Sequence, residues 1–195
     1  MKKINENKSS YYPEIRTHKQ EVYSTYKELG NIRKMKLRLI FSHILITIIS
    51  NIGLSVIWGS IGNGVYETIY LIFHLMIIFG LYSYSGFLYT DLNKKIKFLN
   101  YSIIGIVGLI FWIVCYIESS DSLWNYQNSD GGIWFLYTLF VSGINEPINL
   151  IFDNFNSSII NLKLSMFLLL IMTIIPSILQ YFGGKFKNKT LPNTV

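Results

Sequence analysis

Long runs of apolar residues, separated by short polar segments, make up most of this chain. Residues 39–58 contain no Asp, Glu, Lys or Arg. A helix of about 20 residues rises about 30 Å, which is enough to cross the hydrocarbon core of a bilayer. Comparable apolar runs cover residues 65–89, 101–117 and 164–182. The pattern predicts an all-α integral membrane protein with four transmembrane helices.

Basic residues fall almost entirely on one side of this arrangement. Of the 17 Lys and Arg residues, ten lie in residues 1–38, three in the loop after residue 89 and three after residue 182. Only Lys163 falls on the other side. Because Lys and Arg are retained in the cytoplasm, the basic tail 1–38 and the C-terminal tail 183–195 are both predicted to be cytoplasmic.

A further apolar stretch, residues 133–152, lies within an outer segment that covers 118–163. A fifth span there would move the last lysine cluster to the outer side, against the charge rule. Residues 118–153 also hold five acidic residues and no Lys or Arg. Pro147 lacks the amide hydrogen that a helix interior uses, so a helix break is expected there. We therefore expect a hydrophobic re-entrant or interfacial helical segment on the outer side.

The composition agrees with a lipid environment. Hydrophobic residues make up 51% of the chain, charged residues only 14%, and the mean hydropathy is +0.37, whereas soluble domains have about 25% charged residues. Alanine is absent while Ile, Lys and Asn are abundant, which suggests an AT-rich bacterial genome and hence a bacterial cytoplasmic membrane. The single cysteine, Cys115, excludes an intrachain disulfide and a cysteine-based metal site.

Polar residues inside the predicted spans are costly, so each needs a partner or a role. The first two spans are antiparallel and joined by a short turn, so depths can be compared at about 1.5 Å per residue. Asn51 then lies level with His74, and His43 lies level with Tyr82. These pairs either hydrogen-bond between helices or form a proton- or ion-responsive pair. Glu67, near the outer interface, either faces water or completes this candidate polar network.

A second group of polar residues interrupts the apolar outer stretch, at Asn145, Glu146 and Asn149. One interpretation is a helix break at the membrane surface with a hydrated carboxylate. The other is a carboxylate that lines an outer vestibule, where a ring of copies would attract cations.

Within the basic tail, Ile15, Val22, Tyr26 and Leu29 follow one another at spacings of seven, four and three residues. These spacings place them on one face of a helix. The helix either lies at the membrane surface or offers a docking face to a partner protein or to a second copy of the chain.

The sequence carries no HExxH or GxSxG motif and no cluster of metal ligands, so no catalytic residue, metal site or cofactor is predicted. No specific nucleic-acid binding is expected, because Lys and Arg residues in a membrane protein primarily set its orientation across the bilayer. We expect a small non-enzymatic bacterial membrane protein that acts as a sensor, regulator, immunity or defence factor, or assembly component. It would work with a partner or as a homo-oligomer. The alternative is a subunit of an oligomeric ion channel or transporter.

Overall fold

A computed structural model describes residues 13–60, 65–91, 97–118, 132–154 and 162–191. These residues form five α-helices and one short 3-10 helix, Phe98–Asn100, and the described ranges contain no strand. The α-helices are α1 (Pro13–Ser60), α2 (Val65–Tyr89), α3 (Ile103–Glu118), α4 (Gly132–Asn154) and α5 (Leu162–Thr190). The predicted all-α class is confirmed for the described part of the chain.

Three helical stretches are long and apolar enough to cross a membrane: Val22–Ile57, Tyr66–Tyr89 and Leu168–Thr190. Ile103–Cys115 is a shorter apolar helix. Many large apolar side chains on these helices are exposed, and a soluble monomer rarely leaves so much contiguous apolar surface uncovered. These features indicate a membrane protein.

The chain divides into two compact units at a point within α1. The first unit comprises residues 1–35 and the second comprises residues 36–195. The first unit is helical from Pro13 onward. A proline is tolerated in a first helical turn because the N–H that it lacks has no helical acceptor there.

Two clusters of buried side chains form the core of the second unit. The smaller joins α3 and α4 through Cys115, Tyr137 and Val141, with Leu169 of α5 against it. The larger joins α1, α2, α4 and α5 through Ile46, Ile78, Tyr82, Ile144 and Met172. Since α4 contributes to both clusters, it is in contact with residues from all the other helices of this unit.

The backbones of α2 and α5 approach closely at two glycines. Gly86 lies against the backbone of Gln180, and Gly183 lies against the carbonyl of Ser83. A β-carbon at either glycine would overlap backbone atoms of the other helix. The contact therefore depends on residues without a side chain, as is common where membrane helices approach closely.

Basic residues collect at the C-terminal end of α2. Nζ of Lys187 donates to the carbonyl oxygens of Thr90 at 2.7 Å and Leu88 at 3.4 Å. Carbonyls at the end of a helix lack helical donors and carry partial negative charge, so the lysine stabilises this end. Arg38 lies over the ring of Tyr89, 5.9 Å from its centroid. Basic residues of α1 and α5 thus meet at one end of the second unit.

α4 continues through Pro147 to Asn154, so the helix break expected at this proline is absent. A proline inside a helix deprives the carbonyl four residues earlier, here that of Gly143, of its helical donor. The hydroxyl of Ser50 donates to this carbonyl at 2.8 Å. A side chain of α1 thus replaces the bond that the proline removes.

Candidate functional site

Buried hydrogen bonds join three helices of the second unit, α1, α2 and α4. The hydroxyl oxygen of Ser50 in α1 lies 2.9 Å from Nε2 of His74 in α2. The same hydroxyl donates to the carbonyl of Gly143 in α4. A hydroxyl has one hydrogen, so Ser50 must accept from His74, which assigns a hydrogen to Nε2 of the imidazole.

His43 and Tyr82, which the depth comparison places at one level, share a hydrogen bond of 2.8 Å between Nδ1 and the phenol oxygen. The imidazole is almost completely buried, at 3% exposure. It also packs against the ring of Phe140, with the ring centroids 4.4 Å apart. The hydrogen bond connects α1 to α2, and the contact between the His43 and Phe140 rings connects α1 to α4.

Asn51 and His74 have different partners from those that depth alone suggests. His74 pairs with Ser50, while Nδ2 of Asn51 donates to the hydroxyl of Ser142 in α4 at 2.9 Å. Successive helix residues point about 100° apart around the axis. Ser50 therefore points between α2 and α4 and contacts both, while its neighbour Asn51 points to α4, although both lie at nearly the same depth.

Glu67 lies in the first turn of α2 and is buried, at 6% exposure. Among the described residues, its Oε2 atom has no hydrogen-bond partner. It precedes His74 by seven residues, about 10 Å along the helix, and the described hydrogen bonds of His74 and His43 go to Ser50 and Tyr82. The structure thus places Glu67 apart from the histidine contacts.

The three polar residues of the candidate outer vestibule have different surroundings. Asn145 is buried, at 5% exposure, Glu146 is partly buried and Asn149 is exposed. Ser142, Gly143 and Ile144 are also buried. Since successive helix residues point about 100° apart, α4 is covered by other residues around most of its circumference at this level.

Gln180 of α5 is a completely buried polar residue that is not among the sequence-predicted candidates. Its Nε2 atom lies 3.3 Å from the hydroxyl of Ser42 in α1 and 3.1 Å from that of Ser85 in α2. Both hydroxyls donate to carbonyls of their own helices, those of Leu39 and Tyr82. Their oxygens are therefore free to accept the two amide hydrogens. A glutamine within the apolar 164–182 run is the signal that could have found it.

The predicted docking face lies in the first unit. Val22, Tyr26 and Leu29 are exposed at 41%, 71% and 58%, and Tyr23 beside them is exposed at 73%. The side chain of Ile15 lies outside the described residues. The described part of this face is therefore an uncovered apolar stripe.

Within the described ranges, no group of three or more His, Cys, Asp or Glu residues could hold a metal ion. Several of the described buried hydroxyls of the second unit donate to carbonyls of their own helix, and other buried polar groups form hydrogen bonds between helices. Such bonds are suited to fixing the register and rotation of helices. Comparison of the chain with protein-family models, curated proteins and solved structures finds no match.

Proposed function

We propose that this chain is a small non-enzymatic protein of the bacterial cytoplasmic membrane that acts by binding another protein through α1. Sensor, regulator, immunity or defence factor, and assembly component are the roles that fit such a protein. The observation that carries the proposal is the exposed stripe of Val22, Tyr26 and Leu29, which belongs to a compact unit distinct from the helix bundle.

The proposed topology has four spans, formed by α2, α3, α5 and residues 39–58 of α1, with both termini in the cytoplasm. The meeting of Arg38 and Lys187 at the end of α2 supports it, since this end would lie at the cytoplasmic leaflet. It also leaves the acidic segment around Asp121 and Asp130 outside.

In this topology α4 is the re-entrant or interfacial helix of the outer segment 118–163, and both of its ends lie on the outer side. Its contacts with α1 support this arrangement. His43 and Asn51, about 12 Å apart along α1, meet Phe140 and Ser142, which are about 3 Å apart along α4. The two helices therefore cross steeply, as expected when one helix spans the bilayer and the other does not.

The occupant that best fits the stripe is a partner protein with an apolar groove and an acidic rim. Residues at i, i+4 and i+7, such as Val22, Tyr26 and Leu29, are the anchors by which a helix binds in a groove. The exposed residues Arg33 and Lys34 follow the stripe directly. Two parallel copies would bring these charges together, which disfavours self-association.

The test is site-specific photo-cross-linking in cells, with a photoreactive phenylalanine analogue in place of Tyr23, next to the stripe. We expect one cross-linked protein species, which disappears in a V22S/Y26S/L29S variant. K27S/E28S/N31S is the matched control, because it changes three residues on the opposite face and leaves the net charge unchanged. The stripe has no docking role if cross-linking survives the first variant, or if both variants abolish it equally. A product with twice the mass of the chain would replace the partner protein with a second copy.

A further inference from the structure

A groove on the surface of the second unit runs between α2 and α5. Its volume is about 620 Å³, within the range of small-molecule sites. Gly183 and the small Ser83 lie in the wall where the two helices touch, so the space between the flanking rings stays open. Those rings belong to Tyr84, Phe87, Phe182 and Phe186.

The groove ends beside two lysines of α5, near the C-terminal end of α2 where Arg38 and Lys187 lie. Nζ of Lys187 lies 5.6 Å from the centroid of the Phe87 ring, which lines the groove. Lys189 is exposed and follows Phe182 and Phe186 by seven and three residues, which places it on the same face of α5. The apolar groove therefore ends near two positive charges, those of Lys187 and Lys189, which lie within about one helical turn of Phe186.

The charged residues around this end of the groove are mostly basic. Arg38, Lys97 and Lys185 are exposed near this end as well, and Asp91 is the exposed acidic residue described there. A ligand with an apolar chain and an anionic group would complement both parts of the site. A basic site between membrane helices on the cytoplasmic side is the arrangement that binds anionic lipid head groups.

We propose that this groove binds an anionic phospholipid, with an acyl chain between the rings of α2 and α5 and the phosphate beside Lys187 and Lys189. Lys187 also holds the end of α2, so its carbonyl bonds keep the ammonium at the mouth of the groove. Lys189 has no described hydrogen bond or ion pair and is free to follow the head group. The site is distinct from the docking stripe and does not depend on it.

The test measures lipid retention by the purified full-length chain in detergent, by native mass spectrometry. Phosphatidylglycerol and phosphatidylcholine with identical acyl chains are titrated in parallel. We expect the wild type to prefer phosphatidylglycerol and K189Q to bind it about fivefold more weakly, which corresponds to about 1 kcal/mol per lysine near anionic lipid.

K97Q is the matched control. Lys97 is an exposed lysine near the same end of the second unit, but it directly precedes Phe98, whose ring packs against Tyr181 on the side of α5 toward α3 and away from the groove. K97Q should change the affinity for phosphatidylglycerol less than twofold. F186A, at an exposed position where folding should persist, removes one wall and should weaken retention of both lipids.

Circular dichroism of each variant checks that the helices are intact. The proposal is overturned if the wild type retains the two lipids equally, or if K97Q and K189Q weaken phosphatidylglycerol binding equally, since either result would mean that binding depends only on general surface charge. Unchanged retention by F186A also overturns it, because the chain would then lie elsewhere.

Discussion

Ser50 and His74 are joined by a buried hydrogen bond of 2.9 Å in which the imidazole donates and the hydroxyl accepts. The direction follows from the second bond of the serine, to the carbonyl of Gly143. One small side chain of α1 thus satisfies a donor of α2 and an acceptor of α4. Ser50 is therefore one of the residues through which α1, α2 and α4 are held together.

Replacement of Ser50 by alanine should lower the free energy of unfolding by about 1–2 kcal/mol. The substitution leaves a buried N–H and a buried carbonyl without partners, and such groups are expensive away from water. Thermal unfolding in detergent measures the loss. S55A is the control, because the exposed Ser55 hydroxyl bonds only to carbonyls of its own helix. An S50A variant as stable as S55A would show that the hydrogen bonds of Ser50 to His74 and Gly143 contribute nothing to the free energy of unfolding.

The role of Pro147 can be measured with a double-mutant cycle. Alanine at this position restores a backbone N–H that can bond to Gly143, so the Ser50 hydroxyl is no longer the donor on which that carbonyl depends. We expect S50A to cost about 1 kcal/mol less in the P147A background than in the wild type. Additive effects of the two substitutions would mean that Ser50 does not compensate for the proline.

Glycine-to-alanine substitutions should separate structural from incidental glycines. G183A places a β-carbon against the Ser83 carbonyl and forces α2 and α5 apart, which should cost at least about 2 kcal/mol. G80A is the control, since nothing lies within 4 Å of its β-carbon. Alanine favours a helix over glycine by about 0.5–1 kcal/mol, so G80A should be neutral or stabilising. Equal loss of unfolding free energy in the two variants would contradict the described contact.

The sequence predicted the level of a side chain along its helix, but not the direction in which that side chain points around the helix axis. The rise per residue is constant, so the level of His43 with Tyr82 follows from the sequence and the pair lies within 2.8 Å. Asn51 and His74 are level by the same arithmetic. Their partners differ because Asn51 points toward α4, whereas Ser50 points between α2 and α4 and reaches His74, and the sequence contains no measure of where α4 lies.

The ends of α4 and α5 also could not be predicted from local sequence, because contacts with distant residues let both helices continue through proline or glycine. Pro147 favours a helix break because it lacks the amide hydrogen, and the last predicted span ends at residue 182, directly before Gly183 and Gly184. Yet α4 reaches Asn154 and α5 reaches Thr190. The hydroxyl that compensates for the proline and the helix that covers the glycines come from distant parts of the chain.

The sequence alone determined that this protein is helical and that its apolar surface needs lipid, because a backbone in hydrocarbon must satisfy its hydrogen bonds within each segment. The tertiary structure decided which polar groups meet. Neighbouring residues point in different directions around a helix, so the partner of a side chain depends on how the helices pack together, and that arrangement arises from the whole bundle.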